Sequence, residues 1–179
     1  NCLYPETCPT LPVDHQIQTE LLKKLRKIEG VDKVFVGSGL RYDLLLSDTE
    51  HGEAYLKELV QHHISGQLKV APEHTQPNVL ARMHKPDTGK LLEFKEWFEE
   101  MNKAVGKKQF LSYYLIAAYP GCTLGDMQAL KRFASQELGV LPDQVQVYTP
   151  TPSTYASVMY YTEMDPFTGE ELFVEKNPA

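Results

Sequence analysis

No apolar run in the chain approaches the roughly 18 residues a helix needs to cross a bilayer, and its first residues lack the basic, apolar and small-residue sections of a signal peptide. A membrane is not expected as a partner, and the default compartment is the cytoplasm. Positive charge is in deficit: 18 Lys and Arg stand against 24 Asp and Glu, for a net charge of −6. No broad basic field exists to draw in phosphate backbones, so nucleic acid is not favoured. Cysteine is scarce as well. Cys2, Cys8 and Cys122 form an odd set in 179 residues, which is no disulfide framework. Their spacing matches neither a zinc site nor an iron–sulfur site. Low-complexity segments, charge blocks and sequence-level repeats are also missing.

What is present is enough apolar sequence, 42%, for the core of one ordinary globular domain. Residues 1–12 hold two Cys and three Pro without periodicity and read as a loop entered mid-domain in a truncated chain. From Asp14, a candidate N-cap, Ile17, Leu21, Leu22, Leu25 and Ile28 recur at helical spacing as far as Gly30. Val34 to Ser38 reads as a strand, Tyr42 to Leu46 as a further strand piece, and Glu53 to His63 as a helix. Gln67 to Ala71 makes the next strand, ended by Pro72. A short helix from Pro77 and a longer one over Leu91 to Met101 follow. Phe110 to Ala118 is the most continuous apolar run, Thr123 caps a helix to Leu138, and Val145 to Tyr148 makes a fourth strand ahead of a helix over Tyr155 to Tyr161. Strands starting near 33, 67, 110 and 144 alternate with helices, which predicts an α/β fold with a parallel sheet over 13–163 and a peripheral tail over 164–179.

Parallel α/β folds bind ligands at the C-terminal ends of their strands. The residues at and after those ends are therefore the candidate site: Ser38 and Arg41, Glu73 and His74, Tyr119 to Cys122, and Thr149 to Thr154. They put a cation, a carboxylate, an imidazole, a thiol and hydroxyls on one rim.

The phrases VFVGSGLRYDLLL, QLKVAPEHTQPNVLARMHKP, YLIAAYPGCTLGDM and VQVYTPTPSTYASVMYYTEMDP carry a resemblance, in order and over most of the chain, to YgiQ-type radical SAM proteins. The resemblance implies a partial TIM-like (βα) barrel, with about four parallel strands standing for the third to sixth of a six-stranded radical SAM barrel. It implies a 4Fe-4S cluster that cleaves S-adenosylmethionine to a 5′-deoxyadenosyl radical, which abstracts hydrogen from an unknown substrate. The CxxxCxxC loop of that family is absent from these 179 residues, so the cluster and S-adenosylmethionine are expected in a longer parent and neither in this chain alone. Residue by residue, Glu73 resembles the polar position that meets the S-adenosylmethionine ribose or carboxylate, with His74 beside it and Ser38 and Arg41 at the preceding strand end. Tyr114, Ile116 and Ala118 match the adenine-contacting GxIxG strand with both glycines replaced. Tyr148 and Thr149 fall where the last strand closes around the adenine.

Other readings stand beside this one. A self-sufficient α/β binding module would cover its open strand edges by dimerising. A zinc or thiol hydrolase would use Cys122, His74 and Glu73. Arg41 is equally placed to pair with Asp43, the adjacent His62 and His63 point about 100° apart on a helix and do not share a metal, and the tyrosines from Tyr113 to Tyr161 suit a core.

Overall fold

Thr123 and Asp126 form a reciprocal capping box: the Thr123 N–H donates to Asp126 Oδ2 at 2.8 Å and the Asp126 N–H donates to Thr123 Oγ1 at 3.2 Å. With the first orphan N–H groups satisfied this way, helix α6 starts at Leu124. A side-chain cap at Thr154 opens the last of the helices in the same way in the structure, a computed structural model that describes residues 2–142 and 145–176. In order these are α1 (Gln16–Leu25), α2 (Tyr42–Ser47), α3 (Gly52–Glu58), α4 (Pro77–Met83), α5 (Thr88–Val105), α6 (Leu124–Phe133) and α7 (Tyr155–Thr162). Single π-helical turns prolong α3 over Leu59–His63 and α6 over Ala134–Leu138. In α5, Leu91, Phe94, Phe98 and Met101 are buried at intervals of three and four, the stripe that drives an amphipathic helix onto a core.

The strands are β1 (Gln67–Glu73), β2 (Phe110–Ala117) and β3 (Val145–Val147), in one open parallel sheet ordered β1-β2-β3. Leu115, Ile116 and Ala117 stand in register with Val145, Gln146 and Val147. The chain is thus α/β with a parallel sheet, in which the described residues form three strands. The expected first strand, Val34 to Ser38, is extended but unladdered. Val36 N–H donates to His63 O at 2.9 Å, Leu40 N–H donates to Lys69 O at 2.8 Å, and one parallel bridge pairs Leu40 with Val70. Glycines at 37 and 39 interrupt the run and supply no side chain to pack. Tyr42 to Leu46, expected as strand, is helix α2, because Tyr42 and Leu45, three apart, share the buried face. Strand β1 passes through Pro72 to Glu73, and β1 lies at one edge of the sheet, where a missing N–H is tolerated. Helix α1 starts one residue late, with Asp14 Oδ1 accepting the Gln16 N–H at 2.7 Å. It ends at Leu25, where i→i+3 bonds tighten the chain over Lys27 and Ile28 well before Gly30. The expected start of the last strand at 144, Asn1 of the opening loop, and residues 177–179 of the tail lie outside the described residues.

The described residues divide into two compact units. The first comprises residues 2, 6–71 and 89–113, the second residues 3–5, 72–88, 114–142 and 145–176. The core of the first holds Leu45, Leu56, Leu59, Leu68, Leu91, Phe94 and Phe98, all at 1% exposure or less, with α1 packed on α3. In the second, Val79, Tyr119, Cys122, Met159 and Leu172 form a buried cluster with Ile116 and Tyr148 against it. Leu172 belongs to the expected peripheral tail. Its N–H donates to Glu163 O at 2.8 Å, and the Phe173 carbonyl accepts the Gly121 N–H at 2.8 Å, so this segment is stitched into the unit.

Candidate functional site at the strand ends

Two of the three described strand ends, those of β1 and β2, turn on a non-glycine residue in the left-handed region, Glu73 at φ 66° and Ala118 at φ 56°. A Cβ makes that conformation unfavourable by about 1 kcal/mol, and such strain persists where the surroundings over-determine it, often at ligand sites. The turn at Glu73 sets its carboxylate against Lys85, whose Nζ donates to Oε1 at 2.8 Å, and both side chains are largely buried. Lys85 follows the left-handed C-cap residue His84 of α4 and carries no signal at the level of sequence. It is a site residue that only the fold reveals.

After β2, Tyr119 is buried and its hydroxyl donates to the Arg82 carbonyl at 3.2 Å. Burial first, and then the neighbouring Tyr148 and Glu73, push this phenol well above its ordinary value, so Tyr119 stays neutral. The Tyr148 ring meets Tyr119 edge to face at 5.2 Å, and the Tyr148 N–H donates to Ala117 O at 2.9 Å. The Tyr148 hydroxyl is buried yet makes no hydrogen bond among the described residues. Strand β2 alternates, with Leu115 on the buried face and Tyr114, Ile116 and Ala118 on the other by the period of two. Of these, Tyr114 is exposed and Ile116 half-buried, and Thr149 is exposed. In the second unit, then, the structure brings together Glu73, Tyr119 and Tyr148. Ser38 and Arg41 belong to the first unit, where Arg41 forks onto Asp43 through Nε at 2.8 Å and through Nη2. Burial raises the Asp43 carboxyl, but this fork outweighs it and holds Asp43 below its ordinary value.

His74 is not presented to a ligand, because its ring has no exposed surface. Nδ1 accepts the Gln76 N–H at 3.0 Å, so in the neutral ring Nε2 carries the proton and faces Cys122 Sγ at 3.5 Å. Burial lowers His74 to about 4. Burial, followed by the nearby Asp126, raises the Cys122 thiol to about 11. A nucleophilic pair needs the reverse, a basic imidazole beside an acidic thiol. The Cys122–His74 contact is a buried hydrogen bond whose electrostatics run against the hydrolase reading. Under native conditions a maleimide is expected to modify Cys2 and Cys8 and to spare Cys122 until the chain is unfolded; fast labelling of Cys122 would mean the thiol is reachable.

These features define an α/β protein with a parallel sheet whose strand ends gather buried tyrosines and an ion-paired carboxylate. Within that class, UPF0313 homologues cover the chain. It is 58% identical over 176 residues to a UPF0313 protein of Fusobacterium nucleatum, a match that takes in 98% of this chain and 31% of that protein. UPF0313 proteins of Methanosarcina acetivorans and Clostridium perfringens are 47% and 44% identical over the same share, 23% and 26% of their lengths. The chain spans less than a third of these relatives. No family profile matches it. Among the described residues no helix is long and apolar enough to cross a membrane.

Proposed function

We propose that the chain is part of the catalytic domain of a radical SAM protein, with its parallel strands forming a section of a (βα) barrel and their C-terminal ends facing S-adenosylmethionine. What supports this reading is the resemblance, in order along the chain, of VFVGSGLRYDLLL, QLKVAPEHTQPNVLARMHKP, YLIAAYPGCTLGDM and VQVYTPTPSTYASVMYYTEMDP to YgiQ-type radical SAM proteins. Three features of the site support it. Glu73 is ion-paired with Lys85 through Oε1, which leaves its second carboxylate oxygen for a ribose hydroxyl or an ammonium. Ala118, where the resemblance places a glycine, has φ 56°, a conformation that glycine adopts readily. The unpaired Tyr148 hydroxyl offers a hydrogen bond beside the strand end.

The cysteines here do not fit a cluster. Cys2 is exposed and Cys8 half-buried in one unit, while Cys122 is buried, proton-bearing and packed on His74 in the other. The cluster is therefore assigned to the longer protein, where it supplies the electron for reductive cleavage of S-adenosylmethionine. The test is anaerobic reconstitution of the Fusobacterium relative at full length beside this 179-residue chain. About four irons per molecule and 5′-deoxyadenosine on reduction are expected for the former, and neither for the latter. A full-length protein that binds no cluster, or a short chain that holds one, would overturn the reading.

A further inference from the structure

A groove of about 480 Å³ opens in the first unit, lined by Asp32 to Phe35, by Gln61, His62, Ile64 and Ser65, and by Lys107, with Arg26 at its wall. This is the size of a small-molecule site. The chain as a whole carries a net charge of −6, yet this wall holds Arg26, Lys33 and Lys107 together with His62, against Asp32 as its one acid. Lys33 and Lys107 reach no carboxylate among the described residues. Arg26 donates through Nε to Glu58 Oε1 at 2.9 Å, and that oxygen also lies 3.2 Å from His63 Nε2, so Glu58 answers Arg26 and leaves Lys33 and Lys107 to set the sign of the wall. Beside the cations, Phe35 exposes 49% of its surface.

We propose that this groove binds the phosphate group of a small organic phosphate, with Arg26, Lys33 and Lys107 on the phosphate and the apolar or ring body of the ligand against Phe35. Three cations lining one groove with Ser65 and Gln61 match a doubly charged group with three acceptor oxygens better than a carboxylate. The electrostatics agree: His62 is lowered from its ordinary value by desolvation first and then by Arg26, with His63 and Lys107 adding to it against Glu58. A groove of this volume does not hold a duplex, and the reading is independent of the strand-end site.

Two-dimensional NMR of the labelled chain, titrated with inorganic phosphate, with phenyl phosphate and with duplex DNA, tests it. Saturable shifts at His62 and Lys107 are expected in the millimolar range for phosphate, with phenyl phosphate binding more tightly and adding shifts at Phe35. The His62 titration should move upward as the anion binds. Lys33→Glu with Lys107→Glu, both exposed and so without effect on folding, should weaken binding at least about tenfold. Unchanged spectra, equal shifts in the double variant, or preferential binding of DNA would each overturn the assignment.

Discussion

Replacing Glu58 with alanine is expected to lower the stability of the chain by about 3–5 kcal/mol, the range for removing one partner of a buried ion pair. The apparent Tm should fall on the order of 10 °C. Glu58 is 5% exposed and His63 fully buried, with Nδ1 of His63 2.7 Å from the Val34 carbonyl. That carbonyl only accepts, so Nδ1 carries a proton, and the Nε2 contact with Glu58 is a hydrogen bond only when a further proton lies between them. Without the carboxylate, buried His63 and Arg26 both lose their partner, and solvent reaches only Arg26, whose side chain is 35% exposed. Glu58→Gln keeps the shape and one acceptor and should fall between. A loss under about 1 kcal/mol for the alanine variant, the value of a surface pair, would show that water reaches His63.

The consequence reaches the site through Val34, the start of the stretch leading to Ser38 and Arg41. That stretch is also where the residues stop specifying their own conformation. The helices that are set by their own residues, α5 with its three-and-four stripe and α6 with its capping box, are legible in the amino-acid sequence. A parallel strand is not set by its own residues, since its ladder depends on neighbours far along the chain. Val34 to Ser38 has the right composition and forms no ladder among the described residues, the one parallel bridge falling at Leu40, while the same kind of apolar string at Tyr42 to Leu46 closes into a helix. The site divides along the same line. Strand-end position makes Glu73, Ala118 and Tyr148 visible in the sequence, whereas the partner of Glu73 twelve residues on, the burial of His74 and the unpaired Tyr148 hydroxyl are properties of packing. The Arg41–Asp43 fork lies between: spacing by two permits it, and only the fold selects it over a ligand contact.

Asp48 holds the other end of the Arg41 segment, and Asp48→Asn is expected to destabilise the chain by about 2–3 kcal/mol at neutral pH. Oδ2 accepts both the N–H and the ring Nδ1 of His15 at 2.8 Å, and Oδ1 accepts the His51 N–H at 2.8 Å and the Glu50 N–H at 3.3 Å. The carboxylate thus ties the start of α1 to the turn between α2 and α3. It lies near Asp14 and His51 with ligand atoms within 4.8 Å, but its own oxygens are already committed to N–H donors, which is the arrangement of a structural tie. Burial pushes Asp48 up, while the bonds from His51 and then His15 outweigh it and bring it down to about 2 from 3.8. Because the folded value lies below the unfolded one, the stabilisation is complete above about pH 4 and disappears as the pH falls from 4 towards 2. Acid titrations of the two proteins should therefore converge over that window, with the wild-type advantage intact at pH 5 and above. An advantage that persists unchanged to pH 2 would mean that Asp48 acts by its shape and not its charge; one that is absent at neutral pH would mean that α2, and with it Arg41, is held by its buried Tyr42 and Leu45 alone.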